Sequence, residues 1–123
     1  MAKNILITGA VLGGMAVAIG AFGVHALNPI LTENGRVATF ETAVQYHMFH
    51  SLALLLVGNI SKEKTHQLLQ WVGYLFFFGI LIFSGSLYVL SITNITILGA
   101  ITPLGGVAFI GGWILLVIYL VKS

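Results

Sequence analysis

Four stretches of this chain, 4–27, 43–60, 67–90 and 103–121, contain no Asp, Glu, Lys or Arg. About 20 apolar residues in a helix cross the hydrocarbon core of a bilayer. Inside that core a backbone must satisfy its own hydrogen bonds, and a helix does so within one segment. With 123 residues, four such stretches use nearly the whole chain. The fold class that follows is an all-α membrane protein, a four-transmembrane-helix bundle forming one integral membrane domain over 1–123. Composition agrees: 59% of residues are hydrophobic and 7% charged, with a mean hydropathy of +1.07, whereas a soluble domain carries about 25% charged residues.

The composition also excludes function classes. There is no cysteine, hence no disulfide, no thiolate chemistry and no Cys-based zinc site. No basic run with interleaved aromatics is present, so no nucleic-acid partner is expected. The chain lacks HExxH, GxSxG and a glycine-rich loop after a strand, and is expected not to be an enzyme. The apolar run from Ile5 to Leu27 exceeds the 7–15 residues of a signal peptide's core, despite the small residues of Val24-His25-Ala26, so it reads as a retained span.

The connections carry turn signals. Asn28 to Arg36 contains Asn-Pro and Asn-Gly and reads as a loop. Span 2 begins as a polar helix near Val37 and enters lipid around Ala43. Ser61 to His66 is a short charged loop, and Ser91 to Thr96 an uncharged one whose Asn94-Ile95-Thr96 sequon lies too close to lipid to be a good acceptor. Thr102 is expected to cap a helix starting at Pro103, with Ile97 to Ile101 at the interface or in a short extra turn. Lys3, Lys62, Lys64 and Lys122 fall on one side and only Arg36 on the other. The positive-inside rule then puts both termini in the cytoplasm of a multi-pass cell membrane protein.

Small residues mark packing faces. Gly9, Gly13, Ala16, Gly20 and Gly23 share one face of span 1. Gly14, Ala18, Ala21 and His25 lie on roughly the opposite face. Gly105, Ala108 and Gly112 offer a matching surface on span 4, and Gly73, Ile80 and Ser84 another on span 3. Helices in lipid associate by close van der Waals contact, which such residues permit. Two smooth faces imply neighbours on two sides, either both within the bundle, the preferred reading, or one across a homo-oligomer interface through glycine-rich helix 1.

The chemistry-bearing stretch is Gln45-Tyr-His-Met-Phe-His50 at the head of span 2. On a helical wheel His47 and His50 share a face with Ala43, Tyr46 and Leu54, opposite Met48, Phe49, Leu52 and Leu55. Polar groups are costly in hydrocarbon, so the histidines should face the bundle. Glu41 lies off that face, above the lipid boundary, reaching for water, the loop or Arg36. At 1.5 Å per residue His25 sits about 3–5 Å and His50 about 10 Å below the same interface, so His25, His47 and His50 should approach one another. Three readings follow: imidazoles that hydrogen-bond across helices and fix register, a copper, zinc or haem site, and an ion or proton path with Glu41 at its mouth. The first implies no cofactor. The second is weakened because Met48 points away.

Gly20-Ala-Phe-Gly-Val-His-Ala-Leu27, Thr39 to Gly58, Phe83 to Leu90 and Leu98 to Trp113 together resemble the small multi-pass membrane proteins of domain of unknown function 423, which includes transmembrane protein 256 homologues. The resemblance covers almost the whole chain in four ordered blocks. It implies a multi-pass inner or plasma membrane protein and carries the family pattern onto Phe22, His25, Phe40, Glu41, Thr42, Tyr46 and His50, with His47 in a position where that pattern often has another polar residue such as Gln. His25, Glu41 and His50 become the marked candidates. The functional expectation is a non-enzymatic structural or interaction bundle; the alternative is a small transporter or ion- or metal-binding protein using His25 and His50 with Glu41.

Overall fold

A computed structural model describes residues 1–123 and contains four long helices. Helix α1 is Ala2–Asn34, α2 is Val37–Glu63, α3 is Gln67–Thr93 and α4 is Thr102–Lys122. A 3-10 turn, Thr96–Ala100, precedes α4. By length and apolarity three helical segments could cross a membrane: α1, α3, and α4 together with its 3-10 turn. Helix α2, which carries the histidines, is long enough but more polar and is not among them.

Two wide turns interrupt the helices, a π-bulge at Ile19–Gly23 of α1 and another at Ile80–Ser84 of α3. The second explains how α3 keeps one face inward. Val72, Phe76, Ile80 and Ser84 are all buried, and three successive steps of four would drift about 120° around a regular helix. The π-bulge takes up the extra residue and holds the stripe on one side.

The expected loop from Asn28 to Arg36 is almost entirely helix. Helix α1 runs on through Pro29 to Asn34. Pro29 only forgoes one hydrogen bond, to the carbonyl four residues earlier. The stop is Gly35, whose φ of 67° places it in the left-handed region. Gly35 N–H donates to Thr32 O and Arg36 N–H to Leu31 O, at 3.1 and 2.8 Å, the pattern of a glycine-terminated helix. Of the two turn signals, only Asn-Gly acts.

The charged loop shrinks similarly, since α2 continues through Glu63. His66 caps α3, its Nδ1 accepting from Leu68 N–H at 3.0 Å. Thr102 is not the cap of α4; Ile101 holds that position without a side-chain bond. The Thr102 hydroxyl instead meets Ser86 Oγ at 2.7 Å and pins α4 to α3.

Each helix packs chiefly on its sequence neighbour, α1 on α2 and α3 on α4, with α3 also against α2. The core contains Leu12 of α1, Leu54 and Val57 of α2, Val72 and Phe76 of α3, and Phe109 of α4. At the Gly35 end Asn34 Nδ2 donates to Ser91 O and Ile92 O at 3.1 and 3.0 Å, satisfying carbonyls at the C-terminus of α3. Arg36 Nε donates to Asn94 Oδ1 at 3.1 Å. These bonds bind the α1–α2 corner to the end of α3.

Candidate functional site

The polar stretch of α2 occupies the middle of the molecule. Ala43, His47, His50 and Leu54 are buried, whereas Phe49 and Leu52 are exposed. Met48 is half-buried. The two histidines sit on adjoining sides of the inward face, and each meets a different helix.

His50 points to α4. Its Nδ1 donates to its own helix at Tyr46 O, 2.8 Å away, and its Nε2 accepts from Trp113 Nε1–H at 3.0 Å. A carbonyl only accepts and an indole N–H only donates, so the imidazole is the Nδ1–H tautomer. Neither nitrogen has a lone pair left for a metal ion. The ring lies on Phe109, centroids 3.6 Å apart and planes 12° from parallel. Phe76 of α3 meets it edge-on at 5.2 Å, and Trp113 at 5.8 Å.

His47 points to α3. Its Nδ1 is 2.8 Å from Tyr88 OH, and Tyr88 leans on Phe40 with centroids 5.3 Å apart. Ser84 Oγ donates across the same seam to Ala43 O at 2.8 Å. The other ring nitrogen, Nε2, is buried and makes no hydrogen bond of ordinary geometry, although the imidazole lies beside the Leu12 backbone of α1. It is the one such side-chain atom in the chain.

The remaining candidates separate. Tyr46 is 40% exposed; its backbone carbonyl serves His50, and its ring rests 4.7 Å from that of Phe83. His25 and Glu41 are exposed. The expected approach of His25 to the pair does not occur, because α1 turns its Gly9 face to α2 and His25 shares the opposite face with Gly14, Ala18 and Ala21, all exposed. Nowhere do three or more His, Asp or Glu side chains gather in a way that could hold a metal ion.

The glycine stripes set how closely the helices approach. A Cβ on Gly9 would stand 3.0 Å from Ser51 O and 3.1 Å from Leu54 Cβ, and one on Gly20 2.9 Å from Val44 Cγ1. Gly13 and Gly23 have looser neighbours in Ser51 and Phe40, each 3.8 Å or less away. Ala16 is fully buried. On α4, Gly105 lies directly on the Phe83 backbone, Gly112 would put a Cβ 2.6 Å from Phe76 Cε1, and Ala108 is half-buried.

Trp113, Phe109, Tyr88 and Phe76 were not singled out in the sequence, yet they complete the cluster. Trp113 carried the one usable signal: an indole deep in an apolar segment needs an acceptor for its N–H.

A family model described as "Protein of unknown function (DUF423)" matches residues 19–106. A UPF0382 membrane protein of Staphylococcus saprophyticus is 51% identical over 116 residues, covering 94% of this chain and 95% of that one. The UPF0382 membrane protein YwdK of Bacillus subtilis is 46% identical over 121 residues, covering 98% of each. No solved structure matches the chain. The ordered blocks around Phe22, Phe40, His50 and Gly105 thus lie inside a matched region that spans most of the sequence, and the chain belongs to the DUF423 family of membrane proteins.

Proposed function

We propose that all four helices span the cell membrane, with both termini in the cytoplasm, and that the chain acts as a structural or interaction bundle without an enzymatic activity of its own. Four uncharged stretches and the lysine bias support the topology. Helix α2 crosses in spite of its polarity because its histidines face neighbouring helices. A polar group that is paired inside the bundle no longer faces hydrocarbon.

The observation that carries the functional reading is the closed state of His50. Both nitrogens are engaged within the protein, by Tyr46 O and Trp113 Nε1, and three aromatic rings surround the imidazole. Such a group fixes helix register and has no free valence for cargo, cofactor or metal. The exposed face of α1 that carries Gly14, Ala18, Ala21 and His25 supplies the surface for homo-oligomer formation.

A transporter or metal-binding role for His25, His50 and Glu41 receives less support, since His25 and Glu41 are exposed and apart from His50. The deciding experiment uses proteoliposomes loaded with a pH-sensitive dye and, in parallel, with a zinc-sensitive dye. The structural reading expects no flux above that of empty liposomes; a flux abolished by His50→Gln would overturn it. Topology is read separately: with no native cysteine, Glu33→Cys should react with an impermeant maleimide on intact cells and Thr65→Cys should not.

A further inference from the structure

Two ionisable side chains leave the α1–α2 pair with no partner in the chain, His25 on α1 and Glu41 on α2, both exposed. They sit at nearly one depth. Gly23 of α1 faces Phe40 of α2, where a Cβ would stand 3.7 Å from Phe40 Cζ. The two helices run in opposite directions, so His25, two residues past Gly23, and Glu41, one past Phe40, differ in depth by about 4–5 Å. Side chains lean towards the N-terminus of their own helix. His25 therefore leans inward and Glu41 outward, each towards the other's level.

Both belong to the flank of the pair that is turned away from α3. On α2, Ala43 and His47 meet α3, and Glu41, Gln45, Phe49 and Leu52 lie across the wheel from them, all exposed. On α1, Leu12 lies beside His47 and Thr8 lines the cleft that α1 shares with α3. Across the wheel from these are Ala10, Gly14 and Ala21, also exposed, and Gly14 has nothing within 4 Å of its missing side chain. The flank thus sets a smooth strip on α1 beside a bulky, partly polar ridge on α2. A half-turn about the membrane normal keeps every residue at its depth and lays the strip of one copy on the ridge of the other, twice over.

We propose that this flank is the seam of a homodimer, α1 of each copy lying on α2 of the other, with the His25 imidazole N–H donating to the Glu41 carboxylate of the second copy. An occupant of this flank has to offer, at one depth, an acceptor for an imidazole, a donor for a carboxylate and bulk against a smooth strip. Acyl chains offer neither polar group, and a second copy offers all three. The exposed Gln45 amide, one turn deeper than Glu41, is withdrawn from hydrocarbon by the same contact. The seam rests on the reading that all four helices span the membrane and that the small-residue face of α1 mediates homo-oligomer formation, and it names the surface which that face meets.

Disulfide cross-linking in native membranes tests it, because the chain has no cysteine of its own. Two differently tagged full-length copies are co-expressed, one with Ala21→Cys and the other with Gln45→Cys. A mixed disulfide should form, and each variant alone should give little, since like helices lie diagonally across the two-fold axis. Sedimentation of the purified chain in detergent then reads the polar pair. His25→Ala and Glu41→Ala should each weaken dimerisation about eightfold, the average contribution of an interhelical bond in membranes counted twice. Exchanging the two residues within one chain, His25→Glu with Glu41→His, should restore it. Both side chains are exposed, and an unchanged unfolding midpoint of the dilute monomer shows that the variants fold.

Strong cross-linking of Ala21→Cys to itself, without the mixed product, would overturn this seam and leave homo-oligomer formation through α1 standing. Self-linking of Gln45→Cys alone would overturn it in favour of α2 on α2. A monomer in sedimentation with no cross-link at all would remove the seam and the oligomer together, while labelling of Glu33→Cys still reports the topology by itself. Single variants that dimerise as the parent does, or an exchanged chain no better than the single variants, would overturn the His25–Glu41 pairing.

Discussion

On one side of α2, helix α1 lies so close that Gly9 has Ser51 O and Leu54 Cβ where a side chain would begin. On the other, α4 reaches α2 across a gap filled by Phe109 and Trp113, which hold His50 by stacking and by a hydrogen bond. The first seam depends on what is absent and the second on what is present. Their polar atoms differ correspondingly: His50 has both nitrogens paired, whereas His47, bonded to Tyr88 of α3 through Nδ1 and beside the Leu12 backbone of α1, has no ordinary hydrogen bond at Nε2. A close helix contact has little room for a side-chain donor, and a ring-filled gap can be built around one.

The sharpest way to break this comparison is to remove the imidazole. His50→Ala leaves a cavity against Phe109 and strands the Trp113 N–H, and should cost about 3–4 kcal/mol in detergent unfolding. Met48→Ala, on the half-buried side, should cost about 1 kcal/mol. Equal losses would mean that the aromatic seam does not depend on His50.

The glycine principle has its most severe case on α4. Gly105→Ala would drive a methyl group into the Phe83 backbone, which cannot rotate away, and overpacking of this kind costs about 1–3 kcal/mol. Gly14 has nothing within 4 Å of its missing side chain, so Gly14→Ala should change stability by no more than about 0.5 kcal/mol. Thermal unfolding of the two variants side by side checks the contrast.

Smaller effects sharpen the polar half. Trp113→Phe keeps a ring but removes the donor to His50, and should cost about 1–1.5 kcal/mol. His47→Leu gives up the bond to Tyr88 and also removes an unpaired buried nitrogen; these oppose each other, and the net should stay below about 1 kcal/mol. Urea titration in mixed micelles would show whether the order His50, Trp113, His47 holds.

Much of α2 was legible because a regular helix obeys its wheel. Ala43, His47, His50 and Leu54 face inward and Phe49 and Leu52 outward, as 100° per residue requires. Tyr46, on the inward side of the wheel, is nevertheless 40% exposed, and Met48 and Leu55, on the outward side, are half-buried. What the wheel cannot supply is which neighbour a side chain meets. His25 was placed near His50 by depth alone, yet it shares a face with Gly14 and turns away from α2. Trp113 and Tyr88, distant in sequence, were therefore missed as partners.

The corner after α1 failed for a different reason. Asn28-Pro29 signals a turn only if the lost N–H matters, and at this helix end the chain continued to Gly35, where positive φ makes the stop. The two π-bulges have no composition signal. They arise from fitting a face to its neighbours, and so become visible only with the neighbours in place.

The central claim is that His50 and Trp113 stabilise the bundle through each other. A double-mutant cycle of His50→Phe and Trp113→Phe, followed by unfolding in bicelles, measures that coupling directly. Pairing across helices in membranes contributes about 0.6 kcal/mol on average and up to about 1.7. With the donor–acceptor distance at 3.0 Å in a part-buried bond to a buried, ring-stacked imidazole, a favourable coupling of about 1 kcal/mol or more is expected. Additive losses, with coupling near zero, would contradict it.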